Sequence, residues 1–502
     1  MPPTVSKRTL AALCGILLFY FTLGLMRART SQPFCDEGWF ASPAVNLLRT
    51  GTMSTTVLDV TAAWRNTSLE GLERHTYWTM PLYPVTLSVW FRVAGVGLFQ
   101  MRMLSVLWGV IALLGWFLVV RVLSGNTLAA LAAIGILAVG FQFQTRASMG
   151  RMDAMCAALS VGAVAAYLLL RENRLPAAIL VSHTLVAAAG LTHPAGIIGL
   201  VWVVFLALYY DMPRLKVRHL AVAAVPYLVG AAAWGAYILQ EPGLFLKQFA
   251  GNAADRGLFF HSPLAALGDE VALRYLDQFG LSARHQGAER LLGVTLLLYC
   301  AGWFAIFAIP QARGHRGCRA LLIMETLAVA IIGVIDGLRL PHYLIYTIPS
   351  ITAVWGAAFG TAWSVYPQWR RALEAVAAVL VTIDLMANGA RIYSNPLGKS
   401  YLPVVQYLRE HTTKDRLIMG SGELVFGLGF DQTFIDDFRL GARSGRRPEF
   451  IVVDGRYSMW IPRLESKEPD AYRHTQRVLR EEFQSVYQNP AYEIYRRRVP
   501  LP

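Results

Sequence analysis

Charge is what this sequence has least of. Only 16% of its 502 residues are Asp, Glu, Lys or Arg, against about 25% in soluble domains, and the deficit runs along most of the chain. Acid is scarcer than base, with 32 Asp and Glu against 46 Lys and Arg and a net charge of +14. Cysteine is scarce too. Five do not make a disulfide framework. Cys14, Cys156, Cys300 and Cys318 lie in or beside apolar runs, where cysteine is a small hydrophobe. Cys35 has no thiol or metal-ligand partner in its sequence surroundings. Internal repeats and low-complexity tracts are missing from the whole chain, and the segment after residue 395 has no Gly-rich nucleotide fingerprint and no metal-ligand spacing.

What is present is apolar. Hydrophobic residues make up 55% of the chain and the mean hydropathy is +0.42, which indicates a polytopic membrane protein. The basic excess does not indicate a nucleic-acid partner. Lys and Arg punctuate the gaps between apolar runs, as the positive-inside rule requires.

Membrane-length runs cover 9–26, 103–121, 127–144, 154–170, 176–192, 195–210, 219–239, 290–310, 319–336, 342–363 and 371–388. The first follows Lys7 and Arg8, has too long an apolar core for a signal peptide, and reads as an uncleaved span with its N-terminus inside. The stretch 80–98 is shorter and stops its apolar run at Arg92. Crossing a ~30 Å core takes about 20 apolar residues, and shorter stretches lie in the interface or re-enter. With 80–98 outside the count, the interior receives five basic loops: 121–126, 171–176, 211–219, 311–319 and 366–371. With it inside, most of them move to the outside. The sequence therefore predicts about eleven spans, with 80–98 a helix on the outer face.

From about residue 395 the composition changes. Residues 415–420, 450–454 and 491–495 read as short strands, and 402–411 as an amphipathic helix. This predicts a transmembrane module over 1–394, with 27–102 as its first outer loop, and a small extracytoplasmic α/β domain over 395–502. The simplest role for that domain is a lid or packing module.

The span count brings scattered polar residues to one face. Asp36 and Glu37 end the first span, and ionisable residues beside a membrane are functional candidates. Arg146, Arg151 and Asp153 flank the fourth span, His193 lies between two spans, and Arg339 and His342 share a turn. Carboxylates can deprotonate a nucleophile, and cations can hold an anionic leaving group. Each has a plainer alternative. Arg146 and Arg151 could snorkel to the interface, His193 could cap a helix end, Asp36 and Asp153 could be N-caps, and Asp336 could pair with Arg339.

The ordered motifs resemble a known family. Asp36-Glu37-Gly38 after the first span, the Trp78-to-Pro84 stretch containing Tyr83, the segment from Arg146 to Asp153, the turn around His193, and Gly337-Leu-Arg-Leu-Pro-His-Tyr resemble the outer loops of lipid-linked sugar transferases of the GT-C fold. The resemblance spans about residues 10–365. It is greatest to the dolichyl-phosphate-mannose protein mannosyltransferase superfamily, which includes the aminoarabinose transferase that modifies lipid A. It implies a multi-pass plasma-membrane enzyme of the cell envelope with its site on the extracytoplasmic face. That enzyme takes a polyprenyl-phosphate sugar as donor and a protein, lipid or glycan as acceptor. It also implies that Asp36 is the essential first-loop acid, Glu37 its neighbour and Asp153 the second-loop acid. There are departures. Thr79-Met80-Pro81 stands where the aminoarabinose transferase has Glu-Lys-Pro, leaving Arg74, His75 or Arg339 to replace a phosphate-binding lysine. Trp39 stands where the family has an arginine.

The expected reaction is a single inverting displacement with Asp36 as base. Arg339, His342, Arg146, Arg151 and His75 would balance the donor phosphate. Asp153, with His193 and Tyr83 as acceptor-side or structural residues, would orient the acceptor. The outer acids are too few for a dedicated octahedral cage; should a divalent cation take part, Asp36 and Asp153 are its candidate ligands. The competing class is a lipid or sugar transporter or flippase, whose mark would be inverted repeats and charges near the midplane.

Overall fold

The computed structural model describes residues 6–62, 68–255, 262–283, 287–413, 415–431 and 433–498, so parts of the first loop and of the 240–289 loop lie outside the described residues. The first ten helices are α1 (Lys7–Thr30), α2 (Cys35–Thr50), α3 (Leu82–Ala94), α4 (Leu98–Ser124), α5 (Thr127–Val139), α6 (Phe141–Ala147), α7 (Asp153–Leu170), α8 (Leu175–Thr192), α9 (Ile197–Asp211) and α10 (Val217–Ile238). Among the described residues ten helices are long and apolar enough to cross a membrane, and eleven when α5 and α6, bent by 65°, count as one span. These match the eleven runs read from the sequence. Helix α3 has 13 residues, about 20 Å of rise, too short to cross. It buries Tyr83, Leu87 and Phe91 and exposes Val85, Val89 and Val93.

The chain divides into two compact units. The first comprises Met1–Ala28, Met103–Tyr237 and Arg256–Ile392 and contains most of each membrane helix. Small residues let its helices approach. A Cβ on Gly356 would lie 2.5 Å from the Ala129 carbonyl oxygen, and Gly360, one turn on, meets the same residue, a small-xxx-small contact of the kind that packs helices in lipid. The break between α5 and α6 frees backbone groups that lipid cannot satisfy. Two residues of the helix Arg370–Ser394 satisfy them: Asp384 Oδ1 accepts the Phe141 N–H at 3.0 Å, and Asn388 Nδ2 donates to the Val139 carbonyl at 2.9 Å.

The second unit comprises Arg29–Arg102, Ile238–Asp255 and Tyr393–Pro502. Its sheet contains β1 (Ile418–Met419), β2 (Phe434–Ile435), β3 (Phe450–Asp454), β4 (Phe483–Gln488) and β5 (Tyr492–Arg497) in the order β2-β1-β3-β5-β4. The first three strands are parallel, and β5 runs antiparallel to β3 and β4. The C-terminal helix and the three strands expected from sequence are present; β2 and β4 are additions. The first loop joins the sheet. Leu58 bridges Asp436 in parallel, with the Asp436 N–H donating to the Val57 carbonyl at 2.8 Å.

Candidate functional site

In the first unit, α7 begins at Asp153, yet Asp153 does not cap it; the N-cap position is Met152. The Asp153 carboxylate accepts instead from Arg151 Nε at 2.8 Å and from the Tyr346 hydroxyl at 3.2 Å. Arg151 and Asp153 are both buried, so the pair is shielded from solvent screening. His193 does cap: its Nδ1 accepts the Ala195 N–H at 3.0 Å. That bond leaves the proton of the neutral ring on Nε2, which lies 3.2 Å from the Tyr343 hydroxyl. The ring packs edge-on to Tyr343 and stacks with Tyr346. His342 is within electrostatic reach of Arg151, Asp153 and Arg146. Arg146 donates to the Pro341 carbonyl at 3.2 Å and to Gln278 Oε1 at 2.9 Å. Five of the expected residues (Arg146, Arg151, Asp153, His193 and His342) thus form one cluster.

Arg339 belongs to an adjoining network. It sits in a left-handed backbone conformation, with φ +53. Its Nη1 donates to the Asp336 carbonyl at 2.6 Å and to the Gly333 carbonyl at 2.5 Å. The Asp336 side chain pairs with Arg274 rather than with Arg339. Arg274 also bonds Glu270 at 2.7 Å, and its guanidinium lies 5.7 Å from the Tyr343 ring centroid. Burial raises the pKa of Glu270 to about 7, against the pull of Arg274 and Arg339.

In the second unit the adjacent acids separate by role. Glu37 is wholly buried. Its two oxygens accept from Arg102 Nε and Nη2, both at 2.7 Å, and Oε2 also accepts the Phe34 N–H at 3.0 Å, so Glu37, not Asp36, caps α2. Asp36 is half-buried on the first turn, with the Cys35 thiol 3.6 Å from Oδ1. Gly38 packs on backbone: a Cβ there would lie 1.9 Å from the Gly422 carbonyl oxygen. His75 Nε2 lies 3.6 Å from Glu241 and its ring stacks on Tyr77. Tyr83 is buried in α3.

Sequence reasoning missed Tyr343, Tyr346, Gln278, Glu270 and Arg274. Two signals were available. Glu270 and Arg274 have the i,i+4 spacing of a helical ion pair, and Tyr343 and Tyr346 the i,i+3 spacing that shares a face. Among the described residues no group of three or more His, Cys, Asp or Glu is placed to hold a metal ion. Each Asp153 oxygen accepts one protein donor, Oδ2 from Arg151 and Oδ1 from Tyr346.

No family model and no curated protein matches the chain. Solved structures do. ArnT from Cupriavidus metallidurans, in a crystal structure bound to undecaprenyl phosphate, superposes with a TM-score of 0.59 at 14% identity over 98% of both chains. The oligosaccharyltransferase of Archaeoglobus fulgidus gives 0.58 at 15% identity, covering 92% of this chain and 72% of that one. Both are GT-C proteins. The chain has the GT-C fold. A third GT-C structure, the arabinofuranosyltransferase AftD from Mycobacteria, matches 99% of this chain with 40% of its own, at a TM-score of 0.50 and 14% identity. The GT-C helices of this chain and its C-terminal sheet agree with the fold class expected from sequence.

Proposed function

We propose that the protein is a membrane glycosyltransferase that moves a sugar from a polyprenyl-phosphate donor to an acceptor hydroxyl on the extracytoplasmic face of the plasma membrane. The fold it shares with ArnT over nearly the whole of both chains supports this reading. The division of labour between Asp36 and Glu37 carries the assignment of the base. Of two adjacent acids, Glu37 is buried in an ion pair and a cap, and Asp36 is only half-buried on the same turn.

In the proposed step the acceptor oxygen attacks the anomeric carbon from the side opposite the phosphate. The bond from that carbon to the phosphate oxygen breaks, and the lipid phosphate leaves with the electron pair. The hydroxyl proton passes to Asp36. The leaving group is a weak base, so no general acid is needed. Arg146 and Arg151, with His342, supply positive charge for the phosphate. Arg339 supports them by fixing the turn that carries His342, and Asp153 holds Arg151 in place. His75 and Tyr83 shape the first loop around α2 and α3. Holding both substrates removes the entropy cost of a bimolecular encounter, on the order of several kcal/mol.

Purified Asp36→Asn in proteoliposomes, supplied with a radiolabelled polyprenyl-phosphate sugar, tests the base. The variant is expected to insert normally and to transfer no label above background. An undiminished rate would remove Asp36 from the chemistry. The same assay separates the transporter reading, in which label crosses the bilayer without covalent transfer.

A further inference from the structure

Asp436 is wholly buried at the carboxyl end of β2. It accepts from Trp39 Nε1 at 2.9 Å, from the Gly422 N–H at 2.9 Å and from the Tyr457 hydroxyl at 3.0 Å, and it pairs with Arg456. Arg456 lies 5.0 Å over the Trp39 ring and donates to Ser421 Oγ at 3.3 Å. The place matters. Strand β1 lies between β2 and β3, and all three are parallel. The chain therefore leaves β1 toward one side and returns on the other, and the crevice at the carboxyl ends there is where open α/β sheets take their ligands. Here the loop Gly420-Ser421-Gly422 after β1 receives a helix instead. Gly38 meets the Gly422 carbonyl, and a Cβ on Gly422 would lie 2.6 Å from the Trp39 indole and 2.9 Å from the Cys35 carbonyl oxygen.

We infer that Trp39, Asp436 and Arg456 form a clamp that seats α2 in this crevice and so positions Asp36. Trp39 follows Asp36 by three residues, the spacing that puts two side chains on one helix face. The C-terminal domain thus acts as the support of the base through α2, without taking a ligand of its own at this sheet edge. The inference rests on the proposed role of Asp36. Trp39 occupies the position where the resembling family carries an arginine, so the clamp is a property of this chain's own residues.

Two readouts test it in the full-length protein in proteoliposomes. The first is turnover and donor KM for Trp39→Phe, which keeps the ring and removes the N–H, and for Asp436→Asn. Ser444→Ala serves as control, because Ser444 bonds Asp437, the neighbour of Asp436, and not α2. The expected result is a fall in kcat of about tenfold with donor KM within about twofold, since small displacements of a reacting group cost rate rather than binding; Ser444→Ala should match wild type. The second readout is alkylation of Cys35 by a maleimide, followed by mass spectrometry. Cys35 is buried on the clamped turn, and burial raises its thiol pKa well above the ordinary range. Its alkylation should quicken in Trp39→Phe and Asp436→Asn and stay slow in Ser444→Ala. Wild-type kcat together with wild-type protection of Cys35 in both clamp variants would overturn the inference. So would equal losses in Ser444→Ala, which would mark a general loosening of the domain. If wild type transfers no sugar, the proposed function fails by itself, and slow alkylation in both clamp variants then rejects the clamp independently.

Discussion

Arg102 grips both carboxylate oxygens of Glu37, each at 2.7 Å, and both side chains are sealed from solvent. The same guanidinium donates to the Ser31 and Gln32 carbonyls at 2.9 and 3.2 Å. It therefore fixes the strand of chain that leads into α2. Removing one member of a buried pair strands a charge, typically at a cost of about 3–5 kcal/mol. Arg102→Leu should lower the melting temperature of the purified protein sharply. The double variant Arg102→Leu, Glu37→Leu should recover much of that loss, because the desolvation cost goes with the pair. Thermal melts in detergent check both.

Asp153 is held from two sides, by Arg151 and by the Tyr346 hydroxyl. Tyr346→Phe removes one hydrogen bond to the charged carboxylate, of a kind worth about 1.5–3 kcal/mol; with the Arg151 pair intact, transfer should slow by roughly fivefold. Asp153→Asn should slow it by more than tenfold, since it removes the charge that holds Arg151. Steady-state transfer assays with both variants check the order. A wild-type rate in Asp153→Asn would place Asp153 outside the reaction.

Burial, reinforced by Asp454, pushes the Glu423 carboxyl from its ordinary 4.5 up to about 8. Its Oε1 accepts from the Tyr492 hydroxyl at 3.1 Å. The folded state then holds a proton that the unfolded state releases, so stability falls as pH rises through the window from about 4.5 to about 8. Glu423→Gln cannot ionise and should flatten that part of the stability profile, leaving the variant the more stable protein above pH 8. Chemical denaturation at a series of pH values checks it.

The break between α5 and α6 depends on Asp384 and Asn388 for its exposed backbone groups. Asn388→Ala should destabilise by about 1–3 kcal/mol, the cost of leaving a buried polar group without its partner. Asp384→Ala should cost at least as much. It should also lower transfer, because α6 ends in the segment that carries Arg146. Melting temperature and transfer rate, measured together, check both effects.

The membrane helices were legible because each is a long apolar run bounded by charge, and α3 because its run is too short to cross. The capping roles were legible only in kind. The spacing in Phe34-Cys35-Asp36-Glu37 offers two acids, and only the position of Arg102, 65 residues on, decides that Glu37 is the buried one. Strand β2 is two residues long, too short to show alternation, and its edge is completed by Leu58 from the first loop. Asp436 carried no local signal, since its partners Trp39, Gly422 and Arg456 come from three separate segments. Gly38 reads in sequence as part of a motif, but its need for close contact with Gly422 exists only in the folded unit.

Covalent sugar transfer from a lipid phosphate is decided by a single reconstitution. The purified protein is reconstituted in liposomes with a radiolabelled polyprenyl-phosphate sugar and an envelope extract as acceptor, beside Asp36→Asn. Label should pass from lipid to acceptor with wild type, with inversion at the anomeric carbon, and stay on the lipid with the variant. Label that moves equally with both proteins, or that crosses the bilayer while still bound to lipid, would contradict it.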